Sequence, residues 1–355
     1  GWRRELILLV SLGRWPRRKT SISIPRSIES DRIGSQEFDF EAKSEFEHFL
    51  KSLVPLQIPV AYLESMKAVE ESSKTIWRKT PGTILSGPAM YGDEALKVGV
   101  ATATALGSRL VLLQHGGFYG TSEYSFSEAH EVAVSDRYLT WGWTDPGIPK
   151  IQPLGITKPS FGKSSRSGRL LLVLSSSPRY SYAANSDAVS TQVLDSFRLV
   201  ESFLLSLDDQ ARRSASIRGY GRDYGWGEIE HFRQNFPEVS VSRPRSRIAK
   251  DVSRARLTVT TSNTTTFLEC VSSNVPCLLL SDRTHLEVRP ASAEFFSDLV
   301  DVGVVHLDAQ TAADHVGRIW DEVEDWWSRR EVQDAVGRFA ANFALRPAQI
   351  GRAHV

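Results

Sequence analysis

Residues 83–114 read TILSGPAMYGDEALKVGVATATALGSRLVLLQ. A short apolar run at 83–86 stops at Gly87 and Pro88. An alanine-rich helix is expected over 93–106, and a second apolar run follows at 109–114. Strand, helix and strand in about thirty residues form a crossover rather than a hairpin, so the sheet should be parallel. Upstream, Phe46, Phe49, Leu50 and Leu53 recur at helical spacing. Pro55 and Pro59 are expected to end that helix, with another at 60–69. Downstream, 138–143 (YLTWGW) reads as a strand, and 146–168 has the proline, glycine and serine content of a linker.

Beyond that linker the alternation restarts. Strands are expected at 170–175, 214–219, 257–261, 276–280 and 304–307. Helices are expected at 188–207, 229–235, from 264, and at 291–300, before a helical tail holding Trp320, Trp326 and Trp327. The fold class expected is α/β, two Rossmann-like doubly wound domains facing a cleft. The domains would be a basic amino-terminal segment (1–37), a first Rossmann-like domain (38–146), the linker (147–168) and a second such domain with its tail (169–349).

Composition narrows the function classes. The 355 residues carry 43 Lys and Arg against 42 Asp and Glu, with 41% hydrophobic and 24% charged residues. That is a folded globular chain rather than a disordered one. The near-zero net charge argues against a nucleic-acid partner. Two cysteines, Cys270 and Cys277, make no disulfide framework, and no histidine stands at zinc-ligand spacing with them, so no metal site is expected. The apolar run at 6–12 is too short to span a bilayer and has the wrong flank for a signal peptide. A reducing, cytoplasmic location follows. The basic residues Arg3, Arg4, Arg14, Arg17, Arg18 and Lys19 are expected on a solvated edge, with peripheral contact to an anionic membrane surface as the other reading. The chain opens on Gly1 rather than Met, and 350–355 (IGRAHV) matches one reading frame of a sequencing-library adapter. The natural chain is therefore expected to continue past Gln349.

Four stretches carry candidate chemistry. Gln114-His115-Gly116-Gly117-Phe118-Tyr119-Gly120 follows a buried strand, where parallel sheets bind ligands; glycines admit a substrate and His115 is a candidate base or hydrogen-bond donor, against a tight turn with a structural histidine. Glu128 and Glu131 would share one face of a short helix, with Asp136 after it, as base or nucleophile; a solvent-facing acidic helix is the alternative. Seven hydroxyl or amide side chains run from Thr260 to Thr266 at a strand-to-helix turn. Asn263, Thr264, Thr265 and Thr266 are candidates for phosphate and Glu269 for a ribose hydroxyl, against ordinary capping by Asn263 or Thr264. In the glycine-rich loop at 218–227, Arg218 or Arg222 is a candidate for a diphosphate or sugar carboxylate and the aromatics, Tyr220 among them, for stacking, against an ordinary glycine-rich loop with exposed arginines.

In this order the stretches resemble a bacterial transferase family of lipopolysaccharide O-antigen gene clusters, the leptospiral-type family. The segments that carry the resemblance are 58–64 (IPVAYLE), 91–94 (YGDE), 114–120 (QHGGFYG), 126–143 (FSEAHEVAVSDRYLTWGW), 222–226 (RDYGW), 261–269 (TSNTTTFLE) and 287–289 (EVR). Together they cover roughly 46–313. The resemblance implies a GT-B-like glycosyltransferase, distantly similar to transferases of CMP-linked Kdo and sialic acids. Members are usually longer at the amino end, so the acceptor-side domain is expected to be partial. The implied partners are a nucleotide-sugar donor, used as substrate with no cofactor, and a glycan or lipid-linked glycan acceptor. CMP-sugar enzymes often carry a His-Pro pair where this chain has Arg218-Gly219, which weakens the case for a CMP donor. A nucleotide-sugar epimerase, a polyol-phosphate transferase and a non-catalytic glycan-binding protein are the rival readings.

Overall fold

A computed structural model describes residues 41–347, apart from 64, 181–184, 187 and 243–246. The basic segment, the 350–355 tail and Glu64 lie outside the described residues. The chain divides into two compact units, Gly1–Leu110 and Val111–Val355.

In the first unit, helix α1 (Glu45–Gln57) opens on a capping box: the Ser44 hydroxyl accepts from the Glu47 N–H, and the Glu47 carboxylate accepts from the Ser44 N–H. The helix runs through Pro55 instead of stopping there. A proline in the last turn removes a single ladder bond, which a capped helix of this length tolerates. After the short helix Val60–Leu63 come α2 (Met66–Ser73), β1 (Thr83–Ser86) and α3 (Glu94–Ala105). Asp93 caps α3 by accepting from the Leu96 N–H at 3.1 Å. Helices α2 and α3 pack together and bury Val69, Val100 and Ala103.

Strand β2 (Arg109–Leu113) carries the chain into the second unit. There, Val111, Leu112 and Leu113 pair in parallel with β3 (Arg137–Thr140), across helix α4 (Phe126–Val134). Strand β3 in turn pairs in parallel with β4 (Ile151–Pro153), which forms inside the proline-rich 146–168 stretch. A six-stranded sheet follows, in the order β10-β9-β8-β5-β6-β7. Its strands are β5 (Arg169–Val173), β6 (Ala215–Arg218), β7 (Ser240–Ser242), β8 (Ala255–Thr260), β9 (Cys277–Leu280) and β10 (Val305–His306), every neighbouring pair parallel. Leu170, Leu172, Leu257, Val259 and the whole of β9 are buried, as expected for parallel strands covered on both faces. The class is α/β with parallel sheets, as the alternating pattern predicts.

Helices cover the six-stranded sheet in two groups. α5 (Gln192–Ser206) packs on α9 (Ala309–Ile319), while α7 (Thr265–Ser272) and α8 (Pro290–Asp301) pack on α10 (Arg330–Phe343); α6 (Glu228–Asn235) packs beside β7. Beyond α10 the chain returns to the β3–β4 region, where Leu345 donates to the Trp141 carbonyl and accepts from the Ile156 N–H, both at 2.7 Å. From β5 the chain moves first to β6 and β7 on one side, then to β8, β9 and β10 on the other. Such a reversal of strand order opens a crevice at the carboxyl ends of the two strands that flank it, here β5 and β8.

Candidate functional site

The first part of the site is the turn after β2. Gln114 is buried and holds the turn in place: its Oε1 accepts from the Trp141 N–H at 2.8 Å and the Trp143 indole N–H at 2.9 Å, and its Nε2 donates to the Gly116 carbonyl. Gly120 has φ +77 and lies flat against the Trp143 ring, so a Cβ there would stand 2.4 Å from the indole. Gly117 lies so close to the start of α7 that a Cβ would stand 2.3 Å from the Thr264 carbonyl carbon. Its N–H donates to Thr265 Oγ1 at 3.1 Å. The glycines serve close approach between the two turns.

Helix α4 supplies the carboxylates. Ser125 caps it through the Glu128 N–H. Glu128 and Glu131 are both buried, whereas His130 between them is exposed, so the solvent-facing alternative does not hold. Glu128 Oε2 accepts from the Gly120 N–H at 2.6 Å and Oε1 from Arg289 Nη2 at 2.8 Å. Arg289 also donates to the Ser122 carbonyl, and its own N–H bonds the Thr121 carbonyl. The Glu128 carboxylate thus ties the glycine turn to the start of α8.

Glu131 is oriented differently. Its Oε2 accepts from the Tyr138 hydroxyl at 2.8 Å, and its Oε1 lies 3.4 Å from His115 Nδ1. His115 Nε2 lies 3.4 Å from the Tyr119 hydroxyl, which donates to Ser127. Burial holds the His115 pKa below its ordinary value, and the Lys158 charge adds to the effect. Burial, with the Glu131 charge behind it, raises the pKa of Tyr119 and Tyr138, so both stay phenols at neutral pH. The result is a neutral, partly exposed imidazole with a carboxylate on its inner side, an arrangement suited to taking up a proton.

The second part is the turn after β8. Thr264 stands at the N-cap of α7, but its side chain makes no capping bond; it pairs with the Ser262 hydroxyl at 2.9 Å instead. Ordinary capping is therefore not the use of this run, and the first N–H groups of α7 are left to other partners. Asn263 Nδ2 donates to Thr121 Oγ1 at 2.8 Å, a second tie between the turns. A pocket of about 480 Å³ opens here, lined by Gly116, Gly117, Arg218, Tyr220, Thr264, Thr265 and Thr266, together with residues at the ends of β5 and β8. Seven residues expected at the site from the sequence meet around this one space.

His115, Glu128, Glu131, Asp136, Asn263 and Glu269 do not line it, and two of the seven that do are engaged with protein groups. Arg218 reaches the pocket but is ion-paired with Asp251. Tyr220 stacks on Tyr224 with ring centroids 5.7 Å apart, and its N–H bonds Glu228. Glu269 is buried further along α7; burial pushes its pKa up to about 6, against the pull of Lys158 and Arg346. Asp136 is exposed and stands just before β3, whereas His115 follows the carboxyl end of β2. Because the two strands are parallel, Asp136 and His115 lie at opposite edges of the sheet. Gln114 stood at the head of the first candidate stretch without a role of its own, whereas Arg289 and Lys158 were not named as site residues. Of these two, Arg289 left a signal, as the last residue of the EVR motif. Among the described residues no three His, Cys, Asp or Glu side chains converge as a metal site would require, and no helix is long and apolar enough to cross a membrane.

The sequence model described as LIC12162 family transferase matches residues 2–352. None of the curated proteins matches the chain. Among solved structures, MurG of Acinetobacter baumannii is similar at 12% identity and a TM-score of 0.39, covering 79% of this chain and 74% of its own. The UDP-GlcNAc 2-epimerase of Neisseria meningitidis, bound to UDP-GlcNAc, is similar at 11% identity and 0.44, covering 78% and 80%. TarM is similar at 12% identity and 0.47, covering 77% of this chain and 55% of its own.

Proposed function

The chain belongs to the LIC12162 family of transferases, and from that premise we propose that it is a GT-B-like glycosyltransferase that moves a sugar from a nucleotide-activated donor to a growing surface glycan such as the lipopolysaccharide O-antigen. One observation carries this reading: the uncapped amino end of α7, with Thr264, Thr265 and Thr266, faces the same pocket as the glycine turn that follows His115. The turn that carries His115 and the turn that would accept a phosphate thereby border one pocket, with His115 itself one residue before its lining.

In this reading the donor phosphate sits on the N–H groups and hydroxyls at 264–266, which meet the charge that grows as the sugar–phosphate bond breaks. His115 removes the proton from the acceptor hydroxyl. The freed oxygen attacks the anomeric carbon, and the nucleotide leaves with the bonding electron pair. Glu131 is a positioning residue that orients the imidazole and favours its protonated form. The bonding of both Glu128 oxygens and the burial of Glu131 favour direct displacement by the acceptor over a covalent glycosyl–carboxylate intermediate. Arg218, Tyr220 and Glu269 are assigned to the nucleotide side. Transfer to a lipid-linked acceptor would place the protein at the inner face of the cell membrane.

The test is incubation with UDP-, GDP- and CMP-sugars, with and without an oligosaccharide or lipid-linked acceptor, scoring nucleotide release and product. The expected result is acceptor-dependent release with the sugar found on the acceptor. Conversion of the donor sugar without any acceptor would identify an epimerase instead, and phosphate retained in the product a polyol-phosphate transferase.

A further inference from the structure

After α10 the chain runs along the supports of both turns. On one side, Leu345 bonds the Trp141 carbonyl and the Ile156 N–H. Gly142, at φ +139, lies so close to the last turn of α10 that a Cβ would stand 2.8 Å from the Ala341 and Asn342 carbonyl oxygens. Trp141 and Trp143, on either side of Gly142, hold Gln114, and Gln114 in turn holds the Gly116 carbonyl across His115. On the other side, Arg346 divides its guanidinium among three acceptors. Nε donates to the Ser272 carbonyl at 3.1 Å, Nη2 to Ser273 Oγ at 2.8 Å and Nη1 to the Lys158 carbonyl at 2.9 Å. Ser272 and Ser273 end α7, the helix whose amino end forms the donor turn.

A guanidinium is a planar fork with fixed donor directions, and it suits the carboxyl end of a helix, where carbonyls are left open. Here it joins that end to a stretch with no regular structure of its own. Residues 154–168 form neither helix nor strand, and Lys158 stands among them, just before Pro159. The Phe161 N–H also bonds Ser273 Oγ, at 2.9 Å, so the loop is held on both sides of Pro159. Lys158 is half-buried, and its charge acts on His115 and Glu269 alike. We propose that Arg346 is a positioning residue for transfer: by clamping the Lys158 loop to the end of α7, it fixes the Lys158 charge relative to His115. The inference rests on the reading of His115 as the base and adds the group that sets its surroundings. The titratable groups around the imidazole are Glu131 from α4, with Tyr138 behind it, Tyr119 from the glycine turn, and Lys158. Lys158 is the cation of this set, so its displacement lets the imidazole take a proton more readily.

The experiment follows the titration of His115 in the full chain, by NMR of the histidine Cε1–H groups, with its resonance assigned by loss in His115→Gln. Arg346→Ala and Lys158→Met should each raise the His115 pKa by about half a unit or more. The double variant should raise it no further than the larger single shift, because both changes act through one charge. Lys158→Arg should keep the wild-type value. In transfer, the acid limb of kcat/KM should move up with the titration in both single variants. An unmoved titration in Arg346→Ala overturns the proposal. So does an Arg346→Ala shift that persists in full on the Lys158→Met background, since it would come from general loosening rather than from Lys158. If Arg346→Ala does not fold, Arg346→Lys, which keeps the charge but not the fork, decides the matter by the same shift. The titration needs no turnover, which separates the two readings. A wild type that transfers no sugar, with the expected shifts present, fails the glycosyltransferase reading and leaves the clamp standing. Transfer with an unmoved titration fails this inference alone.

Discussion

The turn after β2 and the turn after β8 both end a buried parallel strand, and they touch at Gly117 and Thr265. They use their polar groups in opposite ways. Around the first, the charged groups are largely committed to other protein groups: Glu128 to Gly120 and Arg289, Glu131 to Tyr138 with His115 beside it. Around the second the groups are neutral, and the capping residue leaves the helix end open. Buried charges need partners to be tolerated at all, whereas a helix amino terminus attracts an anion without any charged side chain. The first turn is therefore suited to hold a proton acceptor in place, and the second to receive a ligand.

The largest effect should come from His115. His115→Gln should lower transfer by roughly a hundredfold to ten-thousandfold with nucleotide affinity almost unchanged, measured as kcat against nucleotide Kd. Glu131→Gln should cost less, because the imidazole remains. Burial lowers the His115 pKa, so its base form persists into mild acid, and the acid limb of kcat/KM should lie below pH 6.5. A limb above that value would break the assignment of His115 as the base.

Next in size is the opposite turn. Thr264→Val with Thr265→Val should weaken nucleotide binding by about 3 kcal/mol, roughly a hundredfold, while turnover at saturating donor changes little. Calorimetry that finds unchanged affinity would leave the two turns alike and remove the donor from this site.

Glu128→Gln should act on stability more than on chemistry. Losing one partner of the ion pair with Arg289 is expected to cost about 1–3 kcal/mol, read as a lower Tm with nucleotide affinity retained at low temperature. A variant that keeps its Tm and loses transfer would instead make Glu128 a catalytic carboxylate, as the motif taken alone suggests.

The smallest effect is at Glu269. Its folded pKa is raised to about 6 from 4.5, so the folded state holds this proton more tightly than the unfolded chain does. The stabilisation is complete below pH 4.5 and is lost as pH rises through about 6. Glu269→Gln should flatten that slope and gain up to about 2 kcal/mol at pH 7, seen in urea midpoints across pH. A nucleotide that binds through this carboxylate should lose affinity in the same variant. Unchanged affinity would take Glu269 off the nucleotide side.

How much was legible differs between the two turns as well. The hydroxyl run 260–266 could be read directly, because the strand before it and the helix after it both announce themselves by period, and capping by Asn263 or Thr264 would use only one of its seven polar side chains. The carboxylates could be located but not ranked. Glu128 and Glu131 stand three apart on one short helix, yet one faces Arg289, more than 150 positions away in the chain, and the other faces Tyr138 and His115. Spacing along a helix places side chains on a face; it does not say what comes to meet that face. Asp136 shows the limit from the other side: near in sequence to Glu131, it is carried to the opposite edge of the sheet by the direction of the strand. Strand β4 inside the proline-rich stretch, and the course of α1 through Pro55, were hidden for a related reason. Local composition lowers the odds of an element, but tertiary pairing or a strong cap can override it.

The sequence by itself determined the α/β class, nearly every strand and helix of the six-stranded region, the transferase family and the place of both turns. The class, the elements and the turns follow from periodicity and local backbone preference, which act over a few residues; the family follows from the resemblance of the chain's motifs. Only the tertiary structure decided which polar groups are occupied and which remain open. Gly117 against Thr264, Glu128 on Arg289, and Asn263 on Thr121 with one amide atom left over all depend on segments more than 140 positions apart in the chain. A hydrogen bond is satisfied or left unmade by what lies within about 3 Å of it, and chain order does not fix that neighbour until the fold is complete.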